Sequence, residues 1–288
     1  MGKERDRWPE LCEFVEKDDG LPTRPAGHWT EDKLYFWNGY IHITTMSMVG
    51  KREWHAGVVY VDLFGGPGVC TLKPKRRMPG SPLIAAYARK PFTRIIICEK
   101  NPALAEACEK RLAKSGTESE YHVLAGDCNL LVEDMVKLIP DGALTLAFID
   151  PAGLHAHFET IRTLAQGRRV DLLVLFADRH DIVRNVRLYQ EQGEDSNLDR
   201  VLGPGSGWRD GWRRLEVPSA ANVCSMFASI YKNQLKHHLG YEFFGEEIMS
   251  SSTTPLYRLI FASKHKLGLE FWQKATRKYA SGQLRLFR

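Results

Sequence analysis

Long apolar runs are missing from this sequence of 288 residues. The longest are ALTLAFI at 143–149 and LLVLF at 172–176, far short of the roughly 20 residues that a helix needs to span a bilayer. The first 20 residues are charged throughout and lack the apolar core of a signal peptide. These absences predict a cytoplasmic protein with no membrane association, in which the apolar runs are buried strands.

Closely spaced cysteine pairs are also missing. The six cysteines include no CxxC pair, which favours reduced structural thiols over a zinc or iron–sulfur site. His155 and His157 are near neighbours, but two histidines without a third ligand do not define a metal site. We therefore predict no bound metal.

A large excess of one charge is absent as well, because the formal net charge is only +5. The excess is uneven: residues 264–288 contain seven Lys or Arg and one acidic residue, Glu270. This basic end is compatible with contacts to a phosphate backbone, and equally with a solvated helix and tail.

Apolar runs alternate with helical patterns along the chain, which is typical of a parallel sheet with crossover helices. The predicted strands are 58–64, 94–99, 121–125, 144–149 and 170–177, and the predicted helices between them are 81–90, 102–115, 129–138 and 156–166. After a helix at 219–239, two strand-like runs joined by a short turn predict an antiparallel pair. The predicted fold class is α/β, a Rossmann-like class I methyltransferase fold whose seven-stranded, mostly parallel sheet has an antiparallel terminal strand.

Two segments stand outside this alternation. Residues 1–56 predict a helical N-terminal extension, with the main helix at 31–51, so the Rossmann-like domain is assigned to 57–288. Within that domain, residues at about 178–214 are charged and then glycine-rich, which is typical of an exposed insertion. We expect this insertion to act as a lid over a site.

The stretch YVDLFGGPG leads from the first predicted strand into a loop that contains Gly65, Gly66 and Gly68. A Walker phosphate loop is excluded because the nearest lysine, Lys73, does not follow a glycine. A dinucleotide-binding fingerprint is disfavoured by Thr71, at a position where close packing requires Gly or Ala. Two interpretations remain: a loop that binds S-adenosylmethionine through closely approaching backbone, and a tight turn that needs positive φ.

Acidic residues at four strand ends favour the cofactor-binding interpretation. Asp62 can attract the ammonium group of the cofactor, Glu99 can accept hydrogen bonds from a ribose diol, and Asp127 can accept one from the adenine amino group. Asp150 and Pro151 follow the fourth strand, where the reacting nucleophile would lie. In open α/β sheets, ligands bind outside the carboxyl ends of the strands. Each acid, taken alone, is also compatible with helix capping.

The sequence resembles the three-Cys-motif partner (TcmP) family from about residue 29 onward. The matching stretches are WTEDKL, YVDLFGGPG, GSPLIAA, EKNP, GDCN, FIDPAGL, DLLVLFA and LYRLIFASKHKLGLEFW. The resemblance implies a methyltransferase-like Rossmann domain and a separate partner that resembles radical S-adenosylmethionine enzymes and carries the three cysteines. The chain has DPAG where the family more usually has DPFG, which removes an aromatic surface for stacking a base.

Basic residues near the predicted pocket suggest contacts with a phosphate backbone. The candidates for substrate binding are Lys73, Lys75, Arg76, Arg77, Arg179 and Arg184. A solvated, charged loop is the alternative. Trp208 and Trp212 are compatible either with stacking a flipped base or with anchoring the lid.

Three functions are compatible with these features. The first is a methyltransferase that uses S-adenosylmethionine and acts on a base of RNA or DNA, with Asp150 orienting or deprotonating a substrate amino group and the Pro151 carbonyl as a second acceptor. The second is a non-catalytic module with the same fold that binds the radical-enzyme-like partner. The third is a protein that binds the cofactor but performs another reaction, such as a nucleotide modification shared with the partner. The sequence alone defines neither the substrate nor the modified atom.

Overall fold

The computed structural model describes residues 7–251 and 254–285, in which the chain alternates between strands and helices. The strands are β1 Arg24–Ala26, β2 Val58–Asp62, β3 Val69–Leu72, β4 Arg76–Pro79, β5 Arg94–Glu99, β6 Glu120–Ala125, β7 Leu144–Ile149, β8 Arg169–Phe176, β9 Phe243–Ser251 and β10 Thr254–Ser263. The α-helices are α1 Trp8–Glu16, α2 Trp29–Met48, α3 Ser81–Ala86, α4 Pro102–Lys114, α5 Cys128–Lys137, α6 Phe158–Ala165, α7 Val183–Glu191, α8 Asn197–Leu202, α9 Trp208–Arg213, α10 Ala220–Leu239 and α11 Lys266–Ala275. Among the described residues, no helix has the length and apolar composition needed to cross a bilayer.

The main sheet contains seven strands in the order β6–β5–β2–β7–β8–β10–β9. The first five run parallel to one another, whereas β10 runs antiparallel to both of its neighbours. All residues of β2 and β7 are buried, as expected for central strands that are covered on both faces. The predicted fold class is confirmed, including the antiparallel terminal strand.

The N-terminal segment is only partly helical over the described residues, and residues 1–6 of the predicted extension lie outside them. Its strand β1 pairs in parallel with β3, which pairs antiparallel with β4, so a second sheet of three strands forms. The sequence pattern predicts neither β1 nor the β3–β4 hairpin, because their residues show no apolar alternation. Pairing with the distant β3, rather than local propensity, explains β1.

Helix α2 belongs to the hydrophobic core. Trp37 is fully buried, and its ring stacks on Tyr40 and on Phe148 of β7 with a centroid separation of 5.4 Å in each case. The helix also packs against α11 and β9. The N-terminal segment therefore covers one region of the main sheet and does not project from it.

A buried arginine fixes the chain that precedes β1. Arg111 of α4 is 2% exposed, and its Nε and Nη2 donate to the two carboxylate oxygens of Asp19 at 2.7 and 2.8 Å. Its other N–H groups donate to the carbonyl oxygens of Leu21, Pro22 and Pro67 at 3.1, 2.8 and 2.6 Å. The hydrogen bonds from Arg111 also hold the pKa of Asp19 well below its ordinary value. Because Pro67 lies in the glycine loop, one side chain joins the N-terminal segment to that loop.

Replacing Arg111 by methionine should destabilise the protein, because three carbonyl groups lose their donor, although Asp19 keeps its bond from Arg77. We expect Arg111→Met to lower the free energy of unfolding by about 1–3 kcal/mol, the range for leaving buried acceptors unsatisfied. Urea titration followed by circular dichroism measures this change. The control is Lys110→Ala, which removes an exposed pair with Glu106 on the same helix and should cost no more than about 0.5 kcal/mol. Equal effects of the two substitutions would contradict the proposed role of Arg111.

Candidate functional site

The candidate site lies at the carboxyl edge of the main sheet, where β2, β5, β6 and β7 end. The chain order of the strands reverses between β2 and β7, and such a reversal opens a crevice for ligands in α/β sheets. A cavity of about 570 Å³ lies at this edge, within the range typical of small-molecule sites. Residues that line it include Arg24, Phe64, Glu99, Leu104, Asp127, Leu130, Leu154, His155, Asn197 and Arg200.

The glycine loop between β2 and β3 lies beside this cavity, whose lining includes Leu63 and Phe64 at the start of the loop. Gly66 and Gly68 have φ values of +63° and +81°, which residues other than glycine rarely adopt. Gly65 packs so closely on β5 that an added Cβ would lie 2.3 Å from Cγ2 of Ile97. The glycines thus satisfy the requirements of a tight turn, and their bare backbone borders a smaller space beside the cavity.

Glu99 joins the glycine loop to the end of β5. The residue is 8% exposed, and its Oε2 accepts a hydrogen bond from the Gly66 amide at 2.9 Å. Its Oε1 accepts one from the Asn101 amide at 2.8 Å. A carboxylate has about four acceptor positions, so Glu99 can still accept two hydrogen bonds from a ligand in the cavity.

Asp127 lines the same cavity and caps α5. Its Oδ1 accepts from the Asn129 amide at 3.0 Å, and Lys100 forms an ion pair with Oδ2 at 2.9 Å. Partial burial raises the pKa of this carboxyl group, but the bonds from Lys100 and Asn129 outweigh it and leave the pKa below its ordinary value. Glu99 and Asp127 are therefore brought to one cavity, as expected from their strand ends.

Asp62 differs from its predicted role. The residue is fully buried, and its carboxyl group accepts hydrogen bonds from the Phe64 amide at 3.1 Å and from the Tyr60 hydroxyl at 3.2 Å. Burial raises the pKa of Asp62 to about 7, although hydrogen bonds from Ser81 and Phe64 lower it in part. A carboxyl group without solvent access supports the loop from below and does not present a charge to a ligand's ammonium group.

Asp150 does not line the large cavity. It borders a smaller space of about 30 Å³ between the glycine loop, Arg24 and Ser81, and it forms an ion pair with Lys33 of α2. The Lys33 side chain is 3% exposed, and its Nζ also lies 4.9 Å from the ring centroid of Trp29. Pro151 is buried and lines a separate narrow cleft. The two predicted catalytic residues thus face different spaces.

The structure adds two residues of the N-terminal segment to the site, Lys33 and Arg24. Lys33 is 117 positions away from Asp150 in the chain, and nothing in the local sequence predicts their contact. The only sequence feature that could have singled out Lys33 is its position within WTEDKL, a stretch that carries part of the resemblance to the three-Cys-motif partner family. Arg24 precedes a proline in a short stretch without periodicity, so sequence patterns give no reason to select it.

Two of the predicted substrate-binding residues have other partners. Arg76 forms two hydrogen bonds with the Glu31 carboxylate. Arg77 donates to the Val15 carbonyl at 2.8 Å and to Asp18 and Asp19 at 2.9 and 2.8 Å. In the structure both side chains therefore bind the N-terminal segment, and their contact with a substrate stays a prediction.

The other four predicted substrate-binding residues differ in their exposure. Lys73 and Lys75 are exposed at the tip of the β3–β4 hairpin, and Arg184 is exposed on α7. Arg179 is half-buried and lies near Cys224. Exposure leaves the first three free to contact a large ligand.

The predicted lid segment contains α7, α8 and α9, and part of it borders the large cavity through Asn197 and Arg200. Trp208 is 1% exposed, and its Nε1 donates to Asp199 at 2.7 Å. This tryptophan anchors the segment and has no free ring face for a base. Among the described residues, no group of three His, Cys, Asp or Glu side chains is placed to hold a metal ion.

Comparison with known proteins gives structural likenesses only. No protein-family model and no curated protein matches the sequence. The O-methyltransferase from Bacillus cereus, solved in complex with SAH, is 10% identical over 92% of this chain and 94% of its own, with a TM-score of 0.46. Trm1 from Pyrococcus horikoshii, solved with S-adenosyl-L-methionine, is 11% identical over 86% of this chain and 58% of its own, with a TM-score of 0.46. Protein LPL1258 from Legionella pneumophila is 11% identical over 87% of this chain and 94% of its own, with a TM-score of 0.47. Likenesses of this degree concern the fold and not the site.

The buried Asp62 should make stability depend on pH. An exposed aspartate has a pKa of roughly 4, whereas that of Asp62 is raised to about 7. Between these values the folded protein keeps a proton that the unfolded chain releases, so the free energy of unfolding falls as the pH rises through this window. Asparagine cannot ionise, so Asp62→Asn should gain up to about 4 kcal/mol relative to the wild type between about pH 4 and pH 8.

Urea titrations of both proteins at several pH values measure this difference. Asp134→Asn, at an exposed position on α5, is the control and should show a far smaller relative change. Parallel pH curves for Asp62→Asn and the wild type would contradict the assignment of Asp62 as a buried, proton-holding group.

Proposed function

We propose that this protein is an S-adenosylmethionine-dependent methyltransferase that acts on a base of RNA or DNA. The observation that carries the proposal is the hydrogen bond of 2.9 Å between the Gly66 amide and Glu99. It joins the bare backbone of the glycine loop to a carboxylate that lines the cavity, at the point of the sheet where the strand order reverses. That combination suits a ligand with a ribose diol and a compact, charged tail.

The residues of the large cavity fit an adenosyl group. Glu99 has two acceptor positions for the hydroxyl groups of the ribose, and Asp127 can accept a hydrogen bond from the amino group of the base. Leu104, Leu130 and Leu154 supply apolar surface beside them. Leu130 is 82% exposed, and a bound adenine ring would cover part of it. When bound, S-adenosylmethionine supplies an electrophilic methyl group on its sulfonium.

The chain would contribute mainly position to the transfer. Holding two reactants in line can supply about 7–11 kcal/mol of barrier reduction without an acid–base pair. Asp150 would accept a hydrogen bond from the acceptor's amino group through the oxygen that Lys33 leaves free, with the Pro151 carbonyl as a second acceptor. Because the space beside Asp150 measures about 30 Å³, room for one water molecule, the side chains around it must move to admit a base. We also propose that residues 178–214 act as the lid, supported by the position of Arg200 in the cavity wall.

A nucleic-acid substrate is supported by charge. The exposed Lys73, Lys75 and Arg184 are free to contact phosphate groups, and the net charge of +5 favours an anionic substrate. Each lysine that neutralises a phosphate adds about 0.7–0.9 to the slope of log affinity against log salt concentration.

A partner-binding module of the three-Cys-motif partner family is the second candidate function. The ion pair between Lys33 and Asp150 favours it, because the carboxylate that would bind a methyl acceptor already has a buried partner. The two functions differ in one measurable respect: a catalyst transfers labelled methyl groups from S-adenosylmethionine to RNA or DNA, whereas a binding module forms a stable complex with the radical-enzyme-like protein and transfers none.

Glutamine at position 99 should weaken cofactor binding. Its amide has one oxygen where the carboxylate has two, so it cannot hold both backbone amides and accept from the ribose. We expect Glu99→Gln to raise the dissociation constant for S-adenosylmethionine about 10- to 100-fold, as for loss of charged hydrogen bonds. Isothermal titration calorimetry measures the constant. Glu106→Gln, exposed on α4, is the control and should bind as the wild type does; absence of binding by the wild type would refute the proposed function.

The exposed hairpin should contribute to nucleic-acid affinity. We expect Lys73→Ala/Lys75→Ala to lower affinity for single-stranded RNA or DNA and to reduce the salt slope by roughly 1.4, for two lost phosphate contacts. Fluorescence anisotropy at several salt concentrations measures both quantities. Lys110→Ala/Lys137→Ala removes two exposed lysines, one on α4 and one on α5, and serves as the charge-matched control. An equal loss in both double variants would show that only overall charge matters.

A further inference from the structure

Arg24 is held next to the glycine loop by the second sheet. In the parallel pairing of β1 with β3, Arg24 is opposite Cys70, two residues after the loop's last glycine, Gly68. The Thr71 hydroxyl donates to the Thr23 hydroxyl at 2.7 Å, which adds a side-chain bond between the two strands. Five residues earlier, Asp19 is bound by Arg111 at 2.7 Å. The backbone that carries Arg24 is thus fixed on both sides of the residue.

The side chain of Arg24 extends over the bare backbone of the loop. A Cβ atom added to Gly66 would lie 3.7 Å from the Arg24 Cδ and 3.8 Å from its Nη1. Arg24 lines both the cavity of about 570 Å³ and the small space beside Asp150. It is therefore placed at the junction between the proposed adenosyl pocket and the proposed site of transfer.

Other cations around these cavities already have carboxylate partners. Lys100 pairs with Asp127 at 2.9 Å, Arg200 pairs with Asp195 at 2.8 Å, and Lys33 pairs with Asp150. Arg24 is half-buried, and within residues 7–251 and 254–285 its guanidinium forms neither an ion pair nor a hydrogen bond. A partly desolvated guanidinium without an acceptor is unfavourable, so this position suits an anion that arrives with a ligand.

Nearby carboxyl groups of the chain do not fill this role. Asp62 is fully buried below the loop, and Glu99 holds the amides of Gly66 and Asn101. Asp150 borders the same small space as Arg24 but is paired with Lys33. An anion carried by the ligand suits this position, and a planar guanidinium binds a carboxylate through two parallel hydrogen bonds.

We propose that Arg24 binds the carboxylate of the methionyl part of S-adenosylmethionine. This inference rests on the proposed function. With the ribose on Glu99, the tail of the cofactor runs along the glycine loop, and Arg24 lies over Gly66 of that loop. The N-terminal segment would then complete the cofactor site, which the Rossmann-like domain alone leaves without a partner for the carboxylate. A phosphate group of a nucleic acid carries the same anionic chemistry, and the test separates the two sources.

The test compares two ligands that differ only in the carboxylate, S-adenosylmethionine and its decarboxylated form. Calorimetry on the full chain should show that the wild type binds S-adenosylmethionine about 10- to 100-fold more tightly than the decarboxylated form. Arg24→Ala should bind both ligands with the affinity that the wild type has for the decarboxylated one. Arg24→Lys keeps the charge without the planar fork and should retain part of the preference.

Arg162→Ala is the control, since Arg162 lies on α6, pairs with Glu159 and lines neither cavity; it should keep the full preference for the carboxylate. Binding of the decarboxylated ligand also reports that each variant is folded. If the wild type binds both ligands and Arg24→Ala keeps the preference, the inference is wrong while the proposed function stands. If that variant instead loses affinity for a short single-stranded RNA, the anion is a phosphate and the inference is overturned. No binding of either ligand by the wild type would refute the proposed function and the inference together.

Discussion

The bonds of Arg111 are the constraint on which the candidate site depends. A guanidinium that is 2% exposed is tolerable only when its five N–H groups have acceptors, and here all of them do. Four of these bonds reach residues 19–22 and one reaches the glycine loop at Pro67. The N-terminal segment and the loop can therefore reach their positions only together, and the position of Arg24 follows from both.

The same docking sets part of the arrangement of charge in the site. The N-terminal segment brings Lys33 to Asp150, while Lys100 neutralises Asp127 and backbone amides bind Glu99. The carboxylates of the site are thus either paired or bound by amides before any ligand enters. Glu99 can still accept hydrogen bonds, and Arg24 can still donate them. These two residues suit a ligand that has hydroxyl groups at one end and a carboxylate at the other.

Prediction from sequence succeeded where a residue's position along a strand decides its place. Glu99 and Asp127 end neighbouring parallel strands, so their meeting at one cavity follows from the strand order alone. Sequence patterns could not supply the partners of charged side chains. Arg76 and Arg77 look like substrate contacts in a basic loop, and in the structure their acceptors are Glu31, Val15, Asp18 and Asp19. Asp62 lies at the end of β2 as predicted, but the residues packed over it bury its carboxyl group and leave it no contact with the cavity.

The sequence by itself determined the fold class and the edge of the sheet that holds the site. Continuous apolar runs must be buried on both faces, and runs separated by crossover helices pair in parallel. Only the tertiary structure decided which charges remain available, because their partners are remote in the chain. Lys33 and Asp150 are 117 positions apart, and Arg111 and Asp19 are 92 apart. Local patterns carry no information on such pairs, since burial and electrostatic pairing are set by segments that meet only after folding.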